Sequence, residues 1–394
     1  MPASRLALWK GRALRLWLTA AASAVGALGG IARNKWLALH LDPSGFGVLG
    51  LTFAPWIATA LLGSSEHAGL VRISMLAVGG LAFQGTVQGI FAGYSDVRPP
   101  LTYALVGNVA VVGLVVLLVP RHGLAGAVWS LAAFWPAAIA LTLFAHRRAY
   151  ADALVPPDGG RFDRALGRAM LKVAFAGLAL ALLDQGTLLA LRSHYVRTSG
   201  LTANGLLQAC LAVSQQTGAV FYSYLGGYAF GKISGVPGVE GIRAYTRKHW
   251  PPLAGLAALA FAAVMAGARP LLHLLYSSRF DPAQRMLAWM LVGEFARVCV
   301  QTWALGALPL GGVRLWFPIG VAGTVAMPLT YAAARALGAG AMSLPCAYAG
   351  AHVLSLAFAA VAMSRRGVTL GLRDLSLLAA ALIGLASLAF VFTG

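Results

Sequence analysis

Hydrophobic residues run along this chain in long blocks rather than in short amphipathic stripes. Apolar segments bounded by charge, proline or glycine fall at about 14–40, 46–63, 70–92, 101–119, 124–145, 169–191, 203–230, 250–269, 286–308, 314–334, 341–363 and 375–392. Each is long enough, at about 17 residues or more, to cross a bilayer as a helix. In hydrocarbon every backbone N–H and C=O needs an internal partner, so helices are the spans such blocks permit. The pattern predicts an all-α polytopic membrane protein with about twelve transmembrane helices.

Two polar stretches punctuate the blocks. Residues 146–168 (HRRAYADALVPPDGGRFDRALGR) carry Pro156-Pro157 and Gly159-Gly160 and divide the chain into two lobes. The predicted organisation is an N-terminal helical lobe over 1–145, a basic cytoplasmic linker over 146–168 and a C-terminal helical lobe over 169–363. A basic loop and a further helix follow over 364–394. Residues 231–249, with Lys232, Arg243, Arg247 and Lys248, read as a surface amphipathic stretch. Two lobes joined by a basic linker suit a two-bundle transporter, and a purely structural membrane protein shows the same pattern. Near the start, Arg5, Lys10 and Arg12 precede an apolar run, and Ala22-Ser23-Ala24 imitates a leader cleavage site. The apolar run continues past that site, so an uncleaved first helix is expected.

Composition agrees. Apolar residues make up 59% of the 394 residues and charged ones 10%. A soluble domain carries about 25% charge, so a soluble enzyme, a disordered chain and a secreted disulfide scaffold are excluded. Lys and Arg number 30 against 11 Asp and Glu, a net charge of +19. In a membrane protein this excess reads as basic loops at an anionic leaflet, so no nucleic-acid partner is expected. Cys210, Cys299 and Cys346 stand far apart, and the histidines lack ligand spacing. No metal and no cofactor are expected.

Charge also sets orientation. Loops 146–168, 231–249 and 364–374 carry 5, 4 and 3 basic residues, whereas 192–202, 270–285 and 335–340 carry 2, 2 and 1. The first set is expected on the cytoplasmic side. The basic N-terminus should join it, yet five predicted helices separate it from 146–168. Either one early segment does not span, the short, Pro55-interrupted 46–63 being the candidate, or the N-terminus lies outside against its own charge.

A few polar groups interrupt the spans, where a charge costs about 2.5–3.5 kcal/mol. Glu294 and Arg297, in WMLVGEFARVCV, stand three apart and share a helix face. They suit a cavity lining or a structural ion pair. Asp184, in LALALLDQGTLLALR, is mid-segment with no basic residue within a turn. Hydrocarbon favours its neutral acid, which suits proton coupling; a hydrogen-bonded or cation-paired group is the plainer reading. Arg33 and Lys35 interrupt the first helix, and Arg192 ends the sixth as an expected snorkelling anchor. Gln84 and Gln88 repeat at i, i+4 beside Gly85, Gly89 and Gly93, a side suited to helix packing or to sugar contact. Gln208, Gln215, Gln216, Gln301 and Trp303 add polar and aromatic lining.

The run LLHLLYSSRFDPAQRMLAWMLVGEFARV (271–298) resembles the signature region of bacterial O-antigen and enterobacterial-common-antigen flippases, members of the multidrug/oligosaccharidyl-lipid/polysaccharide exporter superfamily. There a "leu-leu-x-ser-x-phe" loop precedes a helix reading "trp-x-leu-val-gly-asp-x-x-lys". Phe280, Trp289, Leu291, Val292 and Gly293 match, with Glu294 for the family's Asp and Arg297 for its Lys. Lys35, Pro43, Gly45 and Gly47 fit a second family stretch, and segments within 69–97 and 199–216 resemble others. The family's third helix has no counterpart here, and the helix at 375–392 is additional. The first bundle is therefore expected one helix short, and its loss explains the odd helix count.

The resemblance implies a flippase in the bacterial inner membrane that moves undecaprenyl-pyrophosphate-linked oligosaccharide, an O-antigen or related polysaccharide unit, by alternating access. It makes and breaks no bond, so no enzyme activity is expected. Arg33, Lys35, Arg192, Arg297, Gln84, Gln88 and Gln208 are the expected substrate contacts, and Asp184 and Glu294 the expected ion-coupling groups. Expected partners are the lipid-linked oligosaccharide, membrane lipids, a polysaccharide polymerase and glycosyltransferases. The alternatives are a small-molecule exporter of the same superfamily and a membrane glycosyltransferase or polymerase.

Overall fold

A glycine breaks each of the first two long helical runs. The computed structural model describes residues 98–148 and 164–393. Helix α1 (Arg98–Ala145) is interrupted at Gly123, whose φ of 53° and ψ of −128° no L side chain adopts without strain. The chain turns back there, and Thr102 Oγ1 meets His146 Nε2 at 2.7 Å, so the two halves form an antiparallel hairpin. Helix α2 (Arg164–Tyr224) is broken in the same way at Gly200, with φ 86° and ψ 166°. The four halves correspond to the predicted segments 101–119, 124–145, 169–191 and 203–230.

After α2 come one π-helical turn (Leu225–Ala229), α3 (Phe230–Ser234), α4 (Gly238–Ala266) and α5 (Ala268–Leu275). Then follow α6 (Ala283–Ala304), α7 (Ala307–Gly311), α8 (Val313–Ala336), α9 (Ser343–Ser364) and α10 (Leu372–Thr393). Among the described residues there is no strand, as the long apolar blocks require. The chain is an all-α polytopic membrane protein. The 231–249 stretch lies at the surface and is amphipathic: over 238–249 only Ile242 and Thr246 are buried, one turn apart, and these residues form the opening turns of α4, which runs on through Pro251 and Pro252. Trp250, 1% exposed, anchors that junction in the core, which a polar-pattern reading does not register.

The chain divides into two compact units, Met1–Phe162 and Asp163–Gly394. In the second, side-chain pairs give the helix directions. Gly177 faces Trp316, Leu180 faces Gly320, Asp184 meets Thr324 and His194 meets Tyr331. Numbers rise together, so the first half of α2 runs parallel to α8. Helix α9 is antiparallel to α8, since Thr330 bonds Ala347 O while Gly323 abuts Ser355. Helix α6 runs parallel to the second half of α2, through Cys210 with Ala283 and Gly218 with Glu294. It opposes α4, through Phe261 with Phe295 and Trp250 with Trp303. Helix α10 joins this unit, with Phe390 edge-on to Trp289 at 5.1 Å.

These directions bring the basic loops to one end. Arg243 Nε donates to Gly367 O, and Arg247 Nε donates to Thr369 O at 3.1 Å. The 231–249 and 364–374 segments are thereby tied together, and α2 also begins at this end. Loops 192–202 and 335–340 meet at the other, where Tyr195 Oη donates to Ala341 O at 2.6 Å. The outer surface of the unit is apolar. Leu171, Phe175, Leu178 and Leu182 stand exposed at helical spacing on α2, and Val325, Leu329, Ile383 and Phe390 on α8 and α10. Such a face is at home against acyl chains.

Candidate functional site

Glu294 lies at the centre of the second unit and is 0% exposed. Burial of a carboxylate demands hydrogen bonds. Tyr222, from the second half of α2, donates its hydroxyl to Oε1 at 2.7 Å, and Tyr348, from α9, donates to Oε2. Close approach of α2 is possible because position 218 has no side chain: a Cβ there would lie 3.0 Å from Glu294 Cγ. Gly293 does the same for α9, where a Cβ would lie 3.0 Å from the Ala349 Cα. Two glycines thus let three helices converge on one acid.

One turn along α6, Arg297 faces the same way, as i, i+3 spacing dictates. Its Nη1 is 3.9 Å from Glu294 Oε2, and its Nη2 is 4.0 Å from Asp184 Oδ2. Nη1 also reaches the Tyr348 hydroxyl at 3.5 Å, and the guanidinium carbon sits 5.7 Å from the centroid of the Tyr222 ring. Asp184 is held on its far side by the Thr324 hydroxyl, which donates to Oδ1 at 3.1 Å. His352 stacks edge-on against Tyr348 with centroids 4.5 Å apart.

The two acids are not equivalent. Glu294 is sealed in with both oxygens occupied. Asp184 keeps 41% of its side chain exposed and Arg297 keeps 30%. Asp184 lies on the α8-facing side with Gly177 and Leu180, about 160° around the helix from the exposed Leu182. The cluster is therefore a polar spot within an apolar shell, open on the Asp184–Arg297 side.

Of the expected site residues, the structure brings together Asp184, Glu294 and Arg297. Arg192 and Gln208 stand elsewhere. Arg192 lies about 12 Å further along the helix from Asp184. It is buried rather than snorkelling, with Nε donating to Asn204 Oδ1 at 3.0 Å. The Gln208 carboxamide oxygen is buried without a hydrogen-bond partner among the described residues. Arg33, Lys35, Gln84 and Gln88 lie outside the described residues. Gln215 is exposed, and Trp303 is packed in the core. Sequence reasoning missed Tyr222, Tyr348, Thr324 and His352. Their one signal was polarity inside apolar runs, which they share with many residues that line nothing.

No protein-family model and no curated protein sequence matches the chain. Solved structures do. The chain superposes on the lipid II flippase MurJ in an inward closed conformation with a TM-score of 0.60 and 12% identity, over 95% of this chain and 92% of that one. It superposes on an inward-facing MATE-family multidrug resistance transporter of the MOP superfamily with a TM-score of 0.58 and 14% identity, over 92% and 89%. A MATE protein in complex with MaL6 gives a TM-score of 0.58 at 13% identity, over 92% and 89%. The chain has the fold shared by these transporters.

Proposed function

We propose that this protein is a flippase for an undecaprenyl-pyrophosphate-linked oligosaccharide in the bacterial inner membrane. Glycan and pyrophosphate do not cross hydrocarbon unaided, so a carrier must shield them and hold the charged head. The observation that carries the reading is Arg297, a guanidinium inside an apolar shell with donors still open on one side. Arg forks match phosphate oxygens, which suits a pyrophosphate head. The fold likeness to a protein named as a lipid II flippase supports the lipid-linked class. Arg33 and Lys35, outside the described residues, are proposed as further substrate contacts, and Asp184 as the group that couples movement to an ion gradient. Rocking of two lobes would supply alternating access, with no bond made or broken. The polymerase and glycosyltransferases that make and use such a lipid are the proposed partners.

The test is complementation of a flippase-deficient strain at matched expression, with Glu294→Gln, Arg297→Ala and Arg33→Ala. Restored surface polysaccharide with the native chain, and loss with these variants, is the expected result. If all three variants restore it, the site assignment fails.

A second reading has its own support. The cluster holds two acids to one guanidinium, and the likeness to MATE multidrug transporters is equally close. A cationic-drug exporter of the same fold would accumulate resistance rather than glycan at the surface. Drug susceptibility of the same strains separates the two readings.

A further inference from the structure

Arg297 has an anion already in place where a substrate phosphate would go. We infer that Asp184 is an internal stand-in for that phosphate: it occupies Arg297 until an anionic ligand and a proton arrive together and displace it. This rests on the reading of Arg297 as a head-group contact.

The geometry separates the two carboxylates into a fixed one and a displaceable one. Glu294 is fully buried and pinned by two tyrosine hydroxyls from different helices. It has no room to leave. Asp184 is held by a single neutral hydroxyl, from Thr324, and approaches Arg297 at 4.0 Å, beyond hydrogen-bonding distance. Arg297 is held as loosely. Of its five N–H donors, the Tyr348 hydroxyl at 3.5 Å takes one, and no other hydrogen bond reaches the group among the described residues. A buried ion pair built for stability is bidentate and short. This one is long and open, with 41% and 30% of its side chains exposed. Donors remain for a phosphate oxygen on the very side where Asp184 stands.

Charge then links the proton to the ligand. Asp184 meets Arg297 from α6 and Thr324 from α8, and through Arg297 it joins Glu294, the Tyr222 ring and Tyr348, against which His352 packs. Two carboxylates to one guanidinium leave an excess of negative charge, which repels an incoming anion. A proton on Asp184 brings the cluster to neutrality and releases the guanidinium. Anion and proton therefore favour each other's binding, and the favour is reciprocal. Thr324 serves both states, donating to the carboxylate and able to accept from the acid.

The ligand chemistry is a phosphate oxygen, from a lipid-linked pyrophosphate or from an ordinary phospholipid head. The experiment uses the full-length protein. Inorganic pyrophosphate is titrated calorimetrically into the detergent-purified chain, and into chain in phosphatidylcholine nanodiscs with and without phosphatidic acid. Wild type, Asp184→Asn, Arg297→Gln and Arg297→Lys are compared at one mildly alkaline pH, so that the probe's own charge is the same throughout. In detergent, Asp184→Asn, which mimics the protonated acid, is expected to bind pyrophosphate about tenfold more tightly than wild type. Arg297→Gln loses binding, and Arg297→Lys, which keeps the charge, retains part of it. Competition by phosphatidic acid assigns the site to phospholipid heads in general, and its absence to the pyrophosphate class. Equal or weaker binding by Asp184→Asn overturns the inference, as does binding that survives Arg297→Gln or a chain that binds no pyrophosphate. Complementation by wild type reads the flippase assignment independently of all these outcomes.

Discussion

Gly218 and Glu294 are complementary in shape: the missing side chain of one is the space filled by the carboxylate of the other. A methyl group at 218 would collide with Oε1 and stand 3.0 Å from Cγ. The Glu294 side chain has nowhere to move, because Tyr222 and Tyr348 hold both oxygens. Gly218→Ala is therefore expected to destabilise the second unit by about 1–3 kcal/mol, as overpacking does in a closed core. Thermal unfolding in detergent reads this. Glu294→Ala removes the clashing carboxylate, so the two changes together should cost less than their sum. Strict additivity would mean the two positions do not touch.

The tyrosines are expected to matter through their hydroxyls alone. Tyr222→Phe and Tyr348→Phe keep the ring and remove one bond to a buried carboxylate, a loss of about 1.5–3 kcal/mol each. Both bonds end on one acid, so in a Glu294→Gln background each tyrosine change should cost less. Unfolding midpoints of wild type, the three single variants and the two paired ones form the two cycles. Unchanged costs in the Gln background would detach the tyrosines from Glu294.

Much of this cluster's framework was legible in the sequence, and its closure was not. Glu294 and Arg297 share a face because helical geometry is local, so three residues of separation sufficed. Asp184 could be singled out as a costly acid in an apolar run, but not given its partner. Arg297 reaches it from a different helix, and apolar segments say nothing about which helices are neighbours. The glycines at 218 and 293 look like any others in a glycine-rich membrane chain until their opposing helices are known. Arg192 shows the converse error. A cation at the end of an apolar run reads as a snorkelling anchor, yet here the chain turns at Gly200 and folds Asn204 back onto it. Two of the basic loops, 231–249 and 364–374, lie at one end of the second unit, as sorting each loop by its own charge predicts.

The loop between α9 and α10 is clamped by two arginines of α4. Arg243 donates to Gly367 O, and Arg247 donates to Thr369 O at 3.1 Å and to its hydroxyl at 3.3 Å. Arg365 and Arg366, just before the clamp, are exposed. Replacing both Arg243 and Arg247 by Gln frees the loop while leaving the transmembrane packing intact. Trypsin should then cut at Arg365 or Arg366 several-fold faster, with little change in the unfolding midpoint. Equal cleavage rates would show that the loop is held by its own turns rather than by α4.

The same contacts set the orientation of the whole second unit. The ends of α4, α9 and α10 that carry Arg243, Arg247, Arg365, Arg366 and Arg373 lie together, while Leu337 and Gly338 lie at the opposite end with Tyr195 and Ala341. The positive-inside bias predicts that this basic end faces the cytoplasm. Leu337 is 87% exposed and Ser364 is exposed, so cysteines at either place are open to reagent. The native Cys210 and Cys299 are buried, and Cys346 can be changed to Ser to clear the background. In intact cells or spheroplasts, a membrane-impermeant maleimide should label Leu337→Cys at once and Ser364→Cys only after the membrane is opened. Labelling in the reverse order would invert the unit and place the Arg243–Arg247 clamp on the outer side. Labelling of both from outside would contradict the helix directions themselves, because an α9 that begins beside residue 341 and crosses once must end on the other face.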